Sequence, residues 1–222
     1  MNPAPRNTLG ILHTSFVLVE LLNDLAREKL PGVPVINVVD DSLVGYAINR
    51  GVDAALRQRI KNYLLATADA GATVILSACS TMGEAVDAAR GAVPVPILKI
   101  DEAMAEKAVT LGRRIGIFAT ASSTLGPTAR LLQAKAKAAG RTIETSEQLC
   151  AGAFDLLLAG RIAEHDRLVT DIVLGAAPQF DVVLFAQASM SRLAPAIAPR
   201  LTRPLLTSPE LAMERLKSLL GA

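Results

Sequence analysis

Cys79 lies in the run Ser77-Ala78-Cys79-Ser80-Thr81-Met82-Gly83-Glu84, where an apolar strand pattern gives way to a helical one. In open α/β sheets, ligands bind outside the carboxyl ends of the strands. The backbone N–H groups of Ser80, Thr81 and Met82 would face that crevice and favour an anion, helped by the helix dipole. Such positions also favour the thiolate form of a cysteine, the form that acts as base or nucleophile. The competing reading is a small buried hydrophobe, since free cysteine is among the most buried residue types. The second cysteine, Cys150, sits in the apolar helical pattern QLCAGAFDLLLAG and reads as core.

Other polar groups fall at comparable places. His13, Thr14 and Ser15 follow a strand pattern, and histidine is the usual acid–base side chain near neutrality. Thr120, Ser122, Ser123 and Thr124 form a hydroxyl-rich loop running into a helix, a pattern that ordinary N-capping also produces. Asp40, Asp41 and Ser42 follow another strand pattern, where they orient a polar substrate or cap the next helix. Glu164, His165 and Asp166 lie between two helical patterns, read either as a support for the site or as a solvated helix start. No His, Asp or Glu spacing resembles a metal site, and no glycine loop has the form needed to cradle phosphate.

These groups are positioned by alternating elements. Strand patterns cover 9–13, 35–39, 73–78, 95–100, 115–119, 142–145, 182–186 and 204–207. Helical patterns cover roughly 16–29, 52–70, 81–91, 101–111, 123–139, 150–175, 190–199 and 209–220. Runs such as TVIL and DVVLF suit strands buried on both faces of a parallel sheet. The stripe Val52, Ala55, Leu56, Ile60, Tyr63 and Leu64 gives the second helical pattern an apolar face. Strands and helices alternating in this way predict an α/β fold with right-handed crossovers.

An internal repeat sharpens the prediction. VILSACSTM at 74–82 matches VVLFAQASM at 182–190, which puts Ala78 on Ala186, Cys79 on Gln187, Ser80 on Ala188, Thr81 on Ser189 and Met82 on Met190. Pro96-Ile97-Leu98 falls on Pro204-Leu205-Leu206, and LGIL at 9–12 falls near IGIF at 115–118. The expectation is two similar lobes related by a pseudo-twofold axis, each a mainly parallel four-stranded sheet flanked by helices. Lobe one comprises 7–105 with the C-terminal helix 209–222, and lobe two 112–208. A duplicated fold of this kind presents equivalent loops to one shared cleft.

The duplicated lobes, with Cys-Ser-Thr after the third strand of one and a matching loop in the other, resemble the aspartate/glutamate racemase superfamily. That group includes amino-acid and hydantoin racemases, maleate isomerase and arylmalonate decarboxylase. The resemblance covers nearly the whole chain and is carried by NVVDDSL (37–43), IDEAMAEKA (100–108), FATASSTLGPT (118–128), HDRLV (165–169) and AQASMSRL (186–193). It implies cofactor-independent chemistry at the carbon next to a carboxylate, by an isomerase, racemase or decarboxylase-like lyase, with Cys79 catalytic. It also implies that Ser80, Thr81, Thr14, Ser15, Asp41, Thr120, Ser122, Ser123, Thr124 and Ala188 contact the substrate, with no metal, and that the protein is a homo-oligomer, a dimer or higher.

The sequence departs from the superfamily at one place. Two cysteines usually work on opposite faces of the substrate, but Gln187 stands in the second position, and an amide is no general base. Ser189, His13 or His165 then become candidates for a second acid, and Gln187 for a substrate contact through both its oxygen and its NH₂. The alternative is a non-catalytic binder of small carboxylates that lost its second thiol. Decarboxylases of the superfamily keep one cysteine, but in the second lobe, whereas this chain keeps the first.

Composition narrows the classes. The 222 residues are 51% hydrophobic and 20% charged, with net charge +2 and only seven aromatics, so disorder and a nucleic-acid surface are excluded. The longest stretch without an acidic or basic residue, 115–129, is broken by Ser, Thr, Gly and Pro, which argues against a membrane span. The start, MNPAPRNTLGILHT, lacks the pattern of a secretory leader, and two cysteines make no disulfide framework; the expectation is a cytoplasmic protein.

Overall fold

The computed structural model describes residues 7–221; residues 1–6, read above for a leader, and residue 222 lie outside the described residues. The chain divides into two units, Met1–Ile100 with Pro209–Ala222, and Asp101–Ser208. Each is built on its own four-stranded sheet.

In the first unit the strands are β1 (Leu9–His13), β2 (Val35–Val39), β3 (Val74–Ser77) and β4 (Ile97–Lys99), in the order β2-β1-β3-β4. All pair in parallel, with Leu12 opposite both Val38 and Ser77. The connecting helices are α1 (Val19–Lys29), α2 (Ser42–Arg50), α3 (Ala54–Asp69) and α4 (Gly83–Ala89). Leu56, Ile60 and Leu64 of α3 pack with Leu12, Ile75, Val86 and Ile97 in the core on one face of the sheet. Ala55, which the spacing puts on the same stripe, is exposed.

The second unit opens with α5 (Glu102–Leu111) and repeats the strand order as β6-β5-β7-β8, again all parallel. Its strands are β5 (Arg114–Ala119), β6 (Glu144–Leu149), β7 (Val182–Phe185) and β8 (Leu205–Leu206). Its helices are α6 (Leu125–Ala138), α7 (Ala153–Leu158), α8 (Ile162–Ala176) and the single turn α9 (Ala194–Ile197). The last helix, α10 (Ser208–Leu220), falls mostly within the first unit. Phe118, Val169, Val173, Phe180, Phe185 and Ile197 form the second unit's core. The glycine shared by LGIL and IGIF has one role twice. A methyl group on Gly10 would overlap Thr67, and one on Gly116 would overlap the ring of Phe180.

The α/β architecture with two parallel four-stranded sheets is as the repeat predicts, while several elements differ. The helix Ser42–Arg50 is absent from the expected pattern because it is short and buries only Leu43 fully, with Tyr46 and Ala47 half-buried against the core. β6 runs from Glu144 to Leu149 rather than over 142–145. It is a polar edge strand whose extent is set by pairing with β5, not by an apolar run. The single helical pattern at 150–175 is two helices, because Gly160 adopts a φ of 72° that ends α7. Cys150 accordingly lies outside any helix, its N–H bonded to the Ala119 carbonyl, although it is core as expected. The pattern at 190–199 resolves into short 3₁₀ segments around α9, with prolines at 195 and 199.

Candidate active site

Because every strand in a unit points the same way, the loops after the strands gather at one end of that unit. In the first unit this end carries Thr14 and Ser15 after β1, Asp40 and Asp41 after β2, and Cys79, Ser80 and Thr81 after β3. Cys79 is extended (φ −140°, ψ 117°), and its carbonyl accepts from the N–H of Met82 at 3.2 Å, closing a 3₁₀ turn over Ser80–Met82 that leads into α4. The thiol is half-buried. Thr14, Ser80 and Thr81 are 7%, 7% and 9% exposed, and their hydroxyls make no hydrogen bond among the described residues. Cys150 contrasts with Cys79: it is fully buried, and desolvation pushes its thiol up to about 11.

The remaining groups of the first unit divide into structural and open ones. Asp40 is a structural node. It accepts from the N–H and hydroxyl of Ser42 at 3.1 and 2.7 Å, from the Tyr63 hydroxyl at 2.7 Å, and pairs with Arg59 at 2.5 Å. Burial works against its charge, but these bonds prevail and hold the carboxyl below its usual range. The capping alternative for 40–42 therefore describes Asp40, while Asp41 is exposed and makes no side-chain cap bond. The Ser15 hydroxyl accepts from the N–H of Val17 at 3.3 Å.

His13 is fully buried at the end of β1, and its Nε2 lies 2.8 Å from Oδ1 of Asn37, whose amide donates on to Asn23 at 3.1 Å. His13 Nδ1 is buried and has no partner among the described residues. Burial lowers the His13 pKa below its ordinary value, the bond to Asn37 opposing.

In the second unit the matching end carries Thr120 to Thr124 after β5 and Gln187 to Ser189 after β7. Gln187 repeats the backbone of Cys79: φ −112°, ψ 127°, with its carbonyl accepting from the Met190 N–H at 3.0 Å. Its side chain is committed. The amide oxygen accepts from the N–H of Thr120 at 2.6 Å, the N–H of Ala121 at 3.0 Å and the Thr120 hydroxyl at 3.1 Å. The expected use of both ends of the amide by a substrate is thus corrected, because the oxygen is already taken. Capping by this loop's hydroxyls is not seen either: Thr124 donates to the Ala121 carbonyl, at 3.0 Å. Ser122 is exposed, Ser123 and Ser189 half-buried, and none of their hydroxyls has a partner among the described residues; Ala188 is buried.

His165 lies in the first turn of α8, 3% exposed, with Nδ1 at 2.7 Å from Asp166 and 3.1 Å from Arg192. Arg192, in the loop after β7, grips Asp166 through both carboxylate oxygens at 2.7 and 2.5 Å and holds that carboxyl below its usual range. The structure so joins His165 to the Gln187 loop. Arg192 went unnoticed in the sequence, its only signal being a lone cation five residues past Gln187.

Among the described residues no group of three or more His, Cys, Asp or Glu side chains could hold a metal, and no helix is long and apolar enough to cross a membrane.

The profile of the Asp/Glu/Hydantoin racemase family matches residues 9–216. The chain belongs to this family. No curated protein gives a significant match to this family member. Among solved structures it is similar to glutamate racemase from Francisella tularensis in complex with D-glutamate, with a TM-score of 0.77 and 16% identity, over 98% of this chain and 82% of that one. A glutamate racemase from Bacillus anthracis gives 0.73 and 14%, over 98% and 83%. Allantoin racemase from Klebsiella pneumoniae gives 0.72 and 17%, over 97% and 88%. At these identities the likeness concerns the fold.

Proposed function

We propose that this racemase-family protein is a cofactor-independent isomerase, racemase or decarboxylase-like lyase. Its substrate would be a small acid in the cytoplasm, and Cys79 would be the acid–base group or nucleophile. The observation that carries the reading is the state of the first unit's strand ends. A half-buried thiol stands on an extended residue opening a 3₁₀ turn, beside three hydroxyls without partners. These hydroxyl oxygens are not among the sealed polar atoms of the protein, so with no internal partner they are open to an incoming oxygen ligand.

The chemistry follows from that arrangement. The Cys79 thiolate takes the proton on the carbon next to the carboxylate: a C–H bond breaks, an S–H bond forms, and the electron pair moves onto the carboxylate oxygens. Hydroxyl and N–H donors stabilise that charge. Return of the proton from the same thiol restores configuration, and delivery to the opposite face inverts it. In a geminal diacid, loss of CO₂ leaves the same kind of anion, which the thiol protonates.

A second reading, a binder of small carboxylates, is favoured by Gln187, whose locked amide supplies neither acid nor base. Screening small chiral and geminal acids for turnover with wild type and Cys79→Ala decides between them. The enzyme reading expects turnover lost by at least about a hundredfold in the variant while ligand affinity persists; equal turnover in both would end it. A homo-oligomer, most simply a dimer, is the expected assembly, checked by light scattering on the eluting protein.

A further inference from the structure

The Gln187 amide is oriented by donors that cannot be reversed. The N–H groups of Thr120 and Ala121 can only donate, so the side-chain atom 2.6 and 3.0 Å from them must be the oxygen. The Thr120 hydroxyl adds a third donor at 3.1 Å. The other end of the amide, Nε2, has no partner among the described residues, and the residue is half-buried rather than sealed. A freely turning glutamine offers a ligand either a donor or an acceptor. This one offers two N–H donors only.

Its surroundings have the same polarity. The loops at 120–124 and 186–193 contain no Asp or Glu. Asp166, which contacts Arg192 of the second loop, is held bidentately by it. Ser122, Ser123 and Ser189 add hydroxyls without internal partners.

We propose that Gln187 is a specificity-determining residue whose fixed Nε2 donates to an oxygen of the ligand, selecting a carboxylate or carbonyl and rejecting an ammonium there. The inference rests on the reading of this protein as one that takes small acids, and it narrows their class. The ligand group that meets this loop is an oxygen acceptor, and the Thr120–Ala121 N–H pair is not its seat, because the protein's own amide oxygen occupies it.

The test is a titration of ¹⁵N-labelled full-length protein with sodium malonate, and separately with ethylammonium chloride. The Gln187 Nε2 resonances are assigned by their loss in Gln187→Glu. Malonate is expected to shift that side-chain pair saturably while the Thr120 and Ala121 amides move far less, and ethylammonium to shift neither. In Gln187→Glu one carboxylate oxygen keeps the three donors and the other replaces the NH₂, so malonate affinity should fall at least about tenfold by like-charge repulsion. Three results overturn the proposal: malonate shifting Thr120 and Ala121 in place of Gln187, no saturable response at Nε2 well above a Kd of about 1 mM, or equal affinity in Gln187→Glu. Should that variant fail to fold, the Gln187 pair is assigned in ¹³C,¹⁵N-labelled wild type by through-bond correlation to its own side-chain carbons, and the wild-type titration then decides alone. If malonate titrates Gln187 but Cys79→Ala keeps full turnover, the catalytic reading fails and this one stands.

Discussion

Gln187 binds Thr120 twice, its amide oxygen accepting from the backbone N–H at 2.6 Å and from the hydroxyl at 3.1 Å. The bond ties the loop after β7 to the loop after β5, across two neighbouring strands of one sheet. Gln187→Leu removes the acceptor and leaves the Thr120 and Ala121 N–H groups unpaired. The expected loss of stability is about 1–3 kcal/mol, with Gln187→Glu close to wild type. Urea unfolding measures both, and a leucine variant as stable as wild type would show that the contact is incidental.

A second prediction concerns the glycine of each first strand. A methyl group on Gly116 would overlap the Phe180 ring, itself packed edge-on against Phe118 with centroids 6.1 Å apart. Gly116→Ala should cost about 1–3 kcal/mol by overpacking. Gly175 has nothing within 4 Å of the same added methyl, so Gly175→Ala serves as the control and should not destabilise. Equal melting shifts in the two variants would contradict this account of the motif.

The strands with apolar runs and sharp borders were legible in the sequence: β1 and β2 match their patterns residue for residue, β2 lying between Pro34 and Asp40. The edge strand β6 and helix α2 were not, because the first takes its bounds from a partner and the second buries one leucine. At the site, Cys79 and its hydroxyl neighbours were legible because they are consecutive in the chain. The Gln187–Thr120 pair spans 67 positions, and the Arg192–Asp166 pair 26, so no local pattern carries either. The same distance hid the fact that the amide oxygen is already bound.

The two thiols should differ sharply toward alkylation. Cys79 is half-buried, while Cys150 is sealed in the core with its thiol pushed up to about 11, so that roughly one in a thousand is thiolate at about pH 8. Iodoacetamide followed by peptide mass spectrometry should modify Cys79 and leave Cys150 unmodified until the protein unfolds. Simultaneous labelling of both in the folded protein would contradict the burial assigned to Cys150.

His13 sets a pH dependence of stability. Its folded-state pKa is lowered by burial, so below the unfolded value of about 6.5 the unfolded chain takes up a proton that the folded chain refuses. Stability should therefore fall as pH drops from about 7 to about 5, and level off for this group only below its folded-state pKa. His13→Asn should flatten that slope. Unfolding midpoints across the window test it, and an unchanged slope would remove His13 as the cause.

The central claim is that the Cys79 thiol exchanges the proton beside a carboxylate; because the locked Gln187 amide supplies no acid for the other face, retained configuration is the expected outcome. It is tested most directly by ¹H NMR in D₂O on a pool of small acids, wild type beside Cys79→Ala, with the configuration of the exchanged acid then read by chiral chromatography. The account predicts exchange with retained configuration for at least one acid, slowed by about a hundredfold or more in the variant. Undiminished exchange in Cys79→Ala would contradict it.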